Sequence, residues 1–243
     1  MNATLMRIAC EVAPFGLSGT VYGTLLNQRS ALDAVAEEAG KPPYNALPRA
    51  PVLYLKPRNT LAVGGARVEI PGGVLELEAA ACLGIVIGRT ACRVSEAAAL
   101  DHIAGYLIVN DVSVPHSSYF RPAVRHKARD GFCPLGPRVT PRASIVDPDA
   151  LLIRTYVDGA LAQTAGTADL LRPAARLLAE VTDFMTLSPG DVLAAGAAAP
   201  APRVRAGQSV RIEIDGLGAL TNPFVAGVHP FAAAVQSFVA GGT

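Results

Sequence analysis

The sequence has no excess of either charge. Its 21 basic and 20 acidic side chains leave a formal net charge of +1, and no Lys/Arg run gathers the positive residues in one segment. A nucleic-acid-binding domain normally concentrates positive charge on one face, so that class is set aside. Cysteine is scarce: Cys10, Cys82, Cys92 and Cys133, with no two at C-x-x-C spacing. In a chain of 243 residues that is 51% hydrophobic, this suits reduced intracellular thiols rather than a disulfide framework. No uncharged apolar stretch approaches the ~18 residues that would span a bilayer. Glu11 and Pro14 interrupt the apolar residues near the N-terminus, so no signal peptide is expected. These absences together predict a soluble, cytoplasmic protein. Gly64-Gly65 and Pro71-Gly72-Gly73 lack the spacing of a phosphate-binding loop. No Gly-x-Ser-x-Gly elbow occurs, which excludes that route to a serine hydrolase.

What is present reads as many strands and few helices. Thr20 to Asn27 is β-rich, and Val52 to Lys56 is a short strand. Ala66 to Ile70 is another, bracketed by glycines and proline. Ala81 to Gly88 is a continuous apolar run suited to a strand buried on both faces. Ser30 reads as the N-cap of a helix to about Glu38, and Ser95 as the cap of one to about Ala104. Tyr106 to Asn110 is a buried strand delivering Asp111 at its end. Leu151 to Gln163 forms a hairpin turning at Asp158-Gly159. Thr167 or Asp169 opens a helical region in which Leu177, Leu178, Val181, Phe184 and Met185 share one face. Ser209 to Asp215 pairs with Ala219 to Phe224 across Gly216-Leu217-Gly218. With no internal repeat and no evident linker, the expectation is a single α+β domain, mostly β, over residues 1–243. Its core covers about 20–225 and its tails are peripheral.

Chemistry is densest between Val112 and Pro137. Tyr119, Phe120, Arg121 and Pro122 are followed by Lys127-Ala128-Arg129-Asp130-Gly131-Phe132-Cys133-Pro134. Cations focused in a concave loop bind acidic substrates through charge-assisted hydrogen bonds. A desolvated lysine there can stabilise an enolate or carboxylate in a transition state. The plainer alternative is a solvated loop with ordinary ion pairs. Asp111 can bind a divalent cation or carry a proton, or simply open a turn beside Asn110. Glu76 and Glu78, two apart on a strand, would face one way and could hold one cation, or form a solvated edge.

Several segments resemble the fumarylacetoacetate hydrolase family in order and spacing. They are Lys56-Pro57-Arg58-Asn59-Thr60, Ile85-Val86-Ile87-Gly88, Ile103-Ala104-Gly105-Tyr106 and Asn110-Asp111. Lys127 to Phe132, Asp158-Gly159, Thr167 to Leu170 and Leu187 to Val192 continue the match over about residues 20 to 225. Leu26-Asn27-Gln28-Arg29-Ser30, Asn110 to Ser113, Tyr119 to Ala123 and Arg129 to Pro134 carry a finer resemblance. It is to the N-terminal, decarboxylase-type half of the family's bifunctional isomerase/decarboxylases of 4-hydroxyphenylacetate (homoprotocatechuate) breakdown.

The resemblance implies a mixed β-sandwich or roll with short flanking helices. It implies oxo di- or tricarboxylic substrates and a Mg²⁺ or Mn²⁺ ion held by Glu-x-Glu plus a later Asp. Asp111 falls on that Asp, and Lys127 on the family's active-site lysine. The Glu-x-Glu falls on Ala80-Ala81-Cys82, while Glu76 and Glu78 lie four residues earlier. An even-numbered slip would preserve their facing. The lid histidine falls on Ala31, and the Gly-Thr-Pro on Gly196-Ala197-Ala198. The implied roles place Lys127, Asp111 and Asp130 in catalysis. Arg121, Arg129, Tyr119, Asn27, Lys56 and Thr167 would bind substrate, and Asp111, Glu76 and Glu78 would be the candidate metal ligands. The implied reaction is decarboxylation of a 5-oxopent-3-ene-1,2,5-tricarboxylate-like acid, with isomerisation here or on a partner. Two alternatives stand beside it. One is a non-catalytic subunit paired with a Glu-x-Glu homologue, and the other a metal-dependent acylpyruvate-type hydrolase. A homodimer or hetero-oligomer is expected, with no nucleic-acid or membrane partner.

Overall fold

The structure, a computed structural model, describes residues 9–10, 17, 20–42, 45–116, 123–136 and 138–230. Its centre is the antiparallel pair Leu77–Ile87 and Ile103–Ser113, two strands of eleven residues each. The pair forms where expected but runs longer. Asp111 therefore lies inside its strand, directly opposite Ala80, rather than at a strand end. Along Leu77–Ile87, Leu77, Ala79, Ala81, Leu83, Ile85 and Ile87 enter the main core, while Cys82 and Val86 enter a second cluster on the opposite face. Both faces are buried, as the continuous apolar run predicts.

Around this pair the larger sheet adds Arg138–Pro141 on one side. On the other side come Val192–Ala194, Val21–Leu25 and finally Val52–Lys56. A five-stranded sheet lies against its outer face. Ile153, Val210, Ile212, Ile214, Leu220 and Phe224 from that sheet share the main core with the odd-numbered residues of Leu77–Ile87. Burying each such side chain contributes roughly 1.5–3 kcal/mol. The hairpin turns at Asp158-Gly159 as expected, with φ values of 49° and 81°. Positive φ at both positions gives the turn the twist that flanking strands need. Among the described residues, no helix is long and apolar enough to cross a membrane.

The helices are shorter than the sequence suggests. The first divides into Arg29–Asp33 and Ala36–Ala39, and Gln28 rather than Ser30 is its cap residue. Gln28 is fixed from outside the helix: it bridges Leu170 and its side-chain amide donates to the Gly166 carbonyl at 2.9 Å. Ser30 Oγ instead accepts from the Ala199 amide. The helix after Ser95 ends at Ala99, because the strand begun at Ile103 must pair with Ile87. Thr167–Asp169 is a single 3₁₀ turn, and the α-helix proper is Ala174–Thr182. Leu177, Leu178 and Val181 are buried there, whereas Phe184 is 62% exposed.

The larger sheet curls strongly. Val52–Lys56 is four steps from Ile103–Ser113 in the hydrogen-bonded order, yet Tyr54 and Lys56 both touch Asp111. The concave face is consequently crowded. A Cβ at Gly84 would meet Leu107 at 2.6 Å and Val109 at 2.7 Å. The second hydrophobic cluster, including Val21, Cys82, Leu107, Val109, Cys133 and Leu135, fills the inside of this roll.

Candidate functional site

Asp111 is the hub of a buried charged cluster inside the roll. Lys56 Nζ lies 2.8 Å from its Oδ1, and Lys127 Nζ lies 2.7 Å from its Oδ2. Tyr54 donates its hydroxyl to the same Oδ2, and the Lys127 ammonium also sits 4.6 Å from the centroid of the Tyr54 ring. Lys56 is 1% exposed, Asp111 5% and Lys127 8%, so these charges are nearly removed from water. Two ammoniums against one carboxylate leave one positive charge in excess at this point.

Local structure explains why each group sits there. Tyr54 and Lys56 alternate on Val52–Lys56 and so share its inward face. Lys56 directs its three protons to the carbonyls of Val112, Phe132 and Lys127, at 2.6, 2.8 and 2.9 Å. Asp111 Oδ1 therefore feels the Lys56 charge without receiving an aligned hydrogen bond. Lys127 ends a one-turn helix, Val124–Lys127, which presents its side chain inward. Val112 donates its amide to the Phe132 carbonyl, which keeps that loop beside the Asp111 strand.

The cluster tunes its own protonation. Burial would raise the Asp111 carboxyl, but Lys127 and then Lys56 outweigh it and hold the group well below the usual carboxylate range. Burial lowers the Lys56 ammonium from its ordinary value, with Asp111 opposing the change. Burial and then Asp111 push the Tyr54 phenol well above its ordinary value, so it remains a donor. Burial also pushes the nearby Cys133 thiol up to about 12 and raises Cys82. Cys82, Cys92 and Cys133 are free thiols, and the two buried ones are poor nucleophiles.

Of the residues singled out in the sequence, Lys56, Asp111 and Lys127 are brought into contact. Asp130, Asn27 and Thr167 make their polar contacts elsewhere. Asp130 is exposed, and its Oδ1 accepts from Asn59 Nδ2 at 2.7 Å. Arg129 is half-buried on the same loop. Asn27 is buried with its amide spent on backbone: it donates to Ala195 and Arg172 carbonyls and accepts from the Arg172 amide. Thr167 is buried, and its hydroxyl accepts from the Leu151 amide at 2.8 Å. Tyr119 and Arg121 lie outside the described residues. Tyr54 was not anticipated. The available signal was its position two residues before Lys56 on a predicted strand, which gives both the same facing.

The metal expectation meets a donor set that does not fit it. Glu78 does lie on the Asp111 face of its strand, opposite Ser113. Its carboxylate, however, accepts from Ser113 Oγ at 3.0 Å and pairs with Arg203 Nη2 at 3.1 Å. Glu76 faces Arg203 and Arg205 at 3.7 and 3.5 Å. Ala80, the residue opposite Asp111, offers no oxygen from its side chain. Asp111 itself is already engaged by two ammoniums and a phenol. Among the described residues, no three His, Cys, Asp or Glu side chains converge. Mg²⁺ and Mn²⁺ require several hard oxygen ligands, which these residues do not assemble.

Comparison with known proteins gives a consistent result. The family described as Fumarylacetoacetate (FAA) hydrolase C-terminal matches residues 20–225. The chain is 44% identical over 210 residues to the 4-hydroxyphenylacetate degradation bifunctional isomerase/decarboxylase of Salmonella dublin. That match covers 86% of this chain and 48% of the relative, so the chain spans about half the relative's length. A 5-carboxymethyl-2-hydroxymuconate delta-isomerase from Mycobacterium smegmatis superposes with a TM-score of 0.74 at 33% identity, covering 88% and 81% of the two chains. A maleylpyruvate hydrolase from a Sphingobium species, solved with manganese(II) and pyruvate, superposes with a TM-score of 0.71 at 28% identity, covering 86% and 70%.

Proposed function

Because the chain belongs to the fumarylacetoacetate hydrolase family, we propose that it is a decarboxylase-type enzyme or enzyme subunit whose chemistry is driven by lysine ammoniums rather than by a metal ion. Its substrate is an oxo di- or tricarboxylic acid of 4-hydroxyphenylacetate catabolism, resembling 5-oxopent-3-ene-1,2,5-tricarboxylate. The observation that carries this reading is the Lys56–Asp111–Lys127 cluster, buried and net positive, set opposite alanine where the family pattern has a glutamate.

The chemistry follows from that charge. Loss of CO₂ breaks a carbon–carbon bond and leaves its electron pair on the carbon skeleton. Conjugation with the oxo-ene carries the pair to the carbonyl oxygen as a dienolate. A pre-placed ammonium in a dry site stabilises that developing oxyanion far better than water does. Lys127, which keeps a little exposure, is the group that meets the substrate. Lys56, held by three carbonyls, fixes the potential around it. A proton taken from solvent water at the dienolate carbon completes the reaction, and a solvent proton delivered at the far carbon instead gives the isomerised product. Arg129, half-buried on the adjoining loop, would take a substrate carboxylate.

The test is CO₂ release from the oxo-tricarboxylic diene by the purified chain, first with Mg²⁺ and then with EDTA. Turnover that survives EDTA is expected. Turnover abolished by EDTA and restored by metal would overturn the ammonium reading. A second reading rests on the missing glutamate pair: the chain is a partner subunit of a homologue that has one. Activity seen only after such a homologue is added would select it.

A further inference from the structure

We infer that Tyr54 is a positioning residue for the Asp111–Lys127 pair and that Gly23 exists to seat it. The inference rests on reading that pair as the reacting centre. Lys127 hangs from a helix of four residues, too short to fix a long flexible side chain by itself. Its ammonium is located by what it touches, and two of those contacts run through one tyrosine. The Tyr54 hydroxyl donates to Asp111 Oδ2, the oxygen that also accepts from Lys127 at 2.7 Å. The ring face lies 4.6 Å from the ammonium, inside the ~6 Å range of a cation–π contact. Tyr54 thus grips both members of the pair, one through its oxygen and one through its ring.

The seat is equally specific. Gly23 is the register partner of Tyr54 on the neighbouring strand. A Cβ at position 23 would fall 2.0 Å from the Tyr54 Cζ and 2.4 Å from both Cε atoms. The ring therefore lies flat across the Gly23 Cα. Gly23 is not among the glycines with positive φ, so glycine is needed there for space and not for backbone freedom. Ala194 and Gly84 continue the same row across the sheet. The floor stays low, and the ring is free to lean inward from the edge strand. Because the phenol stays protonated, it orients the carboxylate and transfers no proton itself.

The test uses two variants that fail in different ways. Tyr54→Phe keeps the ring and its seat but removes the hydroxyl, whereas Gly23→Ala keeps the hydroxyl but unseats the ring. Each should lower kcat roughly tenfold with KM changed less than about twofold, the pattern of misplacement without loss of binding. Adding Gly23→Ala to Tyr54→Ala should cost less than about twofold more, because the two act as one unit. A readout independent of turnover is the acylation rate of each lysine by an amine-selective reagent, followed by peptide mass mapping. Lys127 labelling should rise up to about fivefold in Tyr54→Phe and Gly23→Ala as its ammonium loses its hold, while fully buried Lys56 stays unlabelled and reports an intact fold. Unchanged Lys127 labelling in both variants, or additive losses in the double variant, would overturn the inference. If the wild type fails to turn over the oxo-acid, the proposed activity falls, and the labelling result alone still decides the role of Tyr54.

Discussion

Replacing Asp111 with asparagine removes the one negative charge of the cluster while keeping its shape. Lys56 would retain its three carbonyl acceptors, but both buried ammoniums would lose their counter-ion. Removing one partner of a buried ion pair costs ~3–5 kcal/mol, because the remaining charge is left uncompensated. For a chain of this size that corresponds to a fall in Tm of about 6–20 °C. The dependence on pH gives the sharper signature. In the wild type the Asp111 carboxyl is held below its unfolded value, so its contribution is complete above about pH 4 and is lost only as pH falls through the folded pKa. At neutral pH the variant therefore shows its full deficit. On the alkaline side, Lys56 in the variant loses the partner that opposes its lowering by burial. Its folded pKa then lies further below that of the unfolded chain. Between the two values the unfolded chain binds more protons, so stability rises with pH. Guanidinium unfolding of both proteins at pH 7 and pH 9.5, followed by circular dichroism, checks this. The deficit should be smaller at pH 9.5. An equal deficit at the two values, or a variant within about 1 kcal/mol of wild type at pH 7, would refute the account of Asp111 as counter-ion to two buried lysines.

Lys127→Met should lower kcat by ~10²–10³ without metal rescue, and should destabilise less than Asp111→Asn because Lys56 and Asp111 remain paired; steady-state kinetics and thermal unfolding read both. Glu76→Gln and Glu78→Gln should each cost no more than ~1 kcal/mol, as partly exposed pairs do, and should leave the response to EDTA unchanged; a lost metal response in either would place them in a cation site. Asn27→Ala should destabilise by about 2–4 kcal/mol through its unpaired backbone partners, while the folded fraction keeps its KM; a raised KM at unchanged stability would make Asn27 a substrate contact.

Much of the frame is legible from local pattern. Val52 to Lys56 forms over the predicted residues because its composition and flanking prolines agree. The Asp158-Gly159 turn forms because only a few dipeptides accept two positive φ values. Helix limits were less legible. Ser95 does stand at the cap position of its helix, but the pairing of Ile103 with Ile87 ends that helix early, and the pairing of Gln28 with Leu170 moves the first cap away from Ser30. At the site, Asp111 was legible at the end of an apolar run, Lys127 in the densely charged segment after it, and Lys56 through the family resemblance. Tyr54 did not, because its role depends on the curl that brings an edge strand over a strand four places away. Nothing local in the sequence encodes that curl. The fates of Glu76 and Glu78 were hidden for the same reason, since Arg203 and Arg205 reach them from more than a hundred residues downstream.

The curl has a consequence for motion. A closed barrel holds its last strand to its first by a continuous backbone ladder. In this roll, among the described residues, Val52–Lys56 is laddered only to Val21–Leu25. Its other margin is stitched by side chains: one ammonium on three carbonyls, one phenol on one carboxylate. A two-residue bridge from Leu61–Ala62 to Cys133–Pro134 follows just beyond. Such a seam can part and close again while every long ladder in the sheet stays intact. Amide exchange in Val52–Lys56 should therefore follow openings smaller than global unfolding. The charges proposed to drive the chemistry would then also latch this seam.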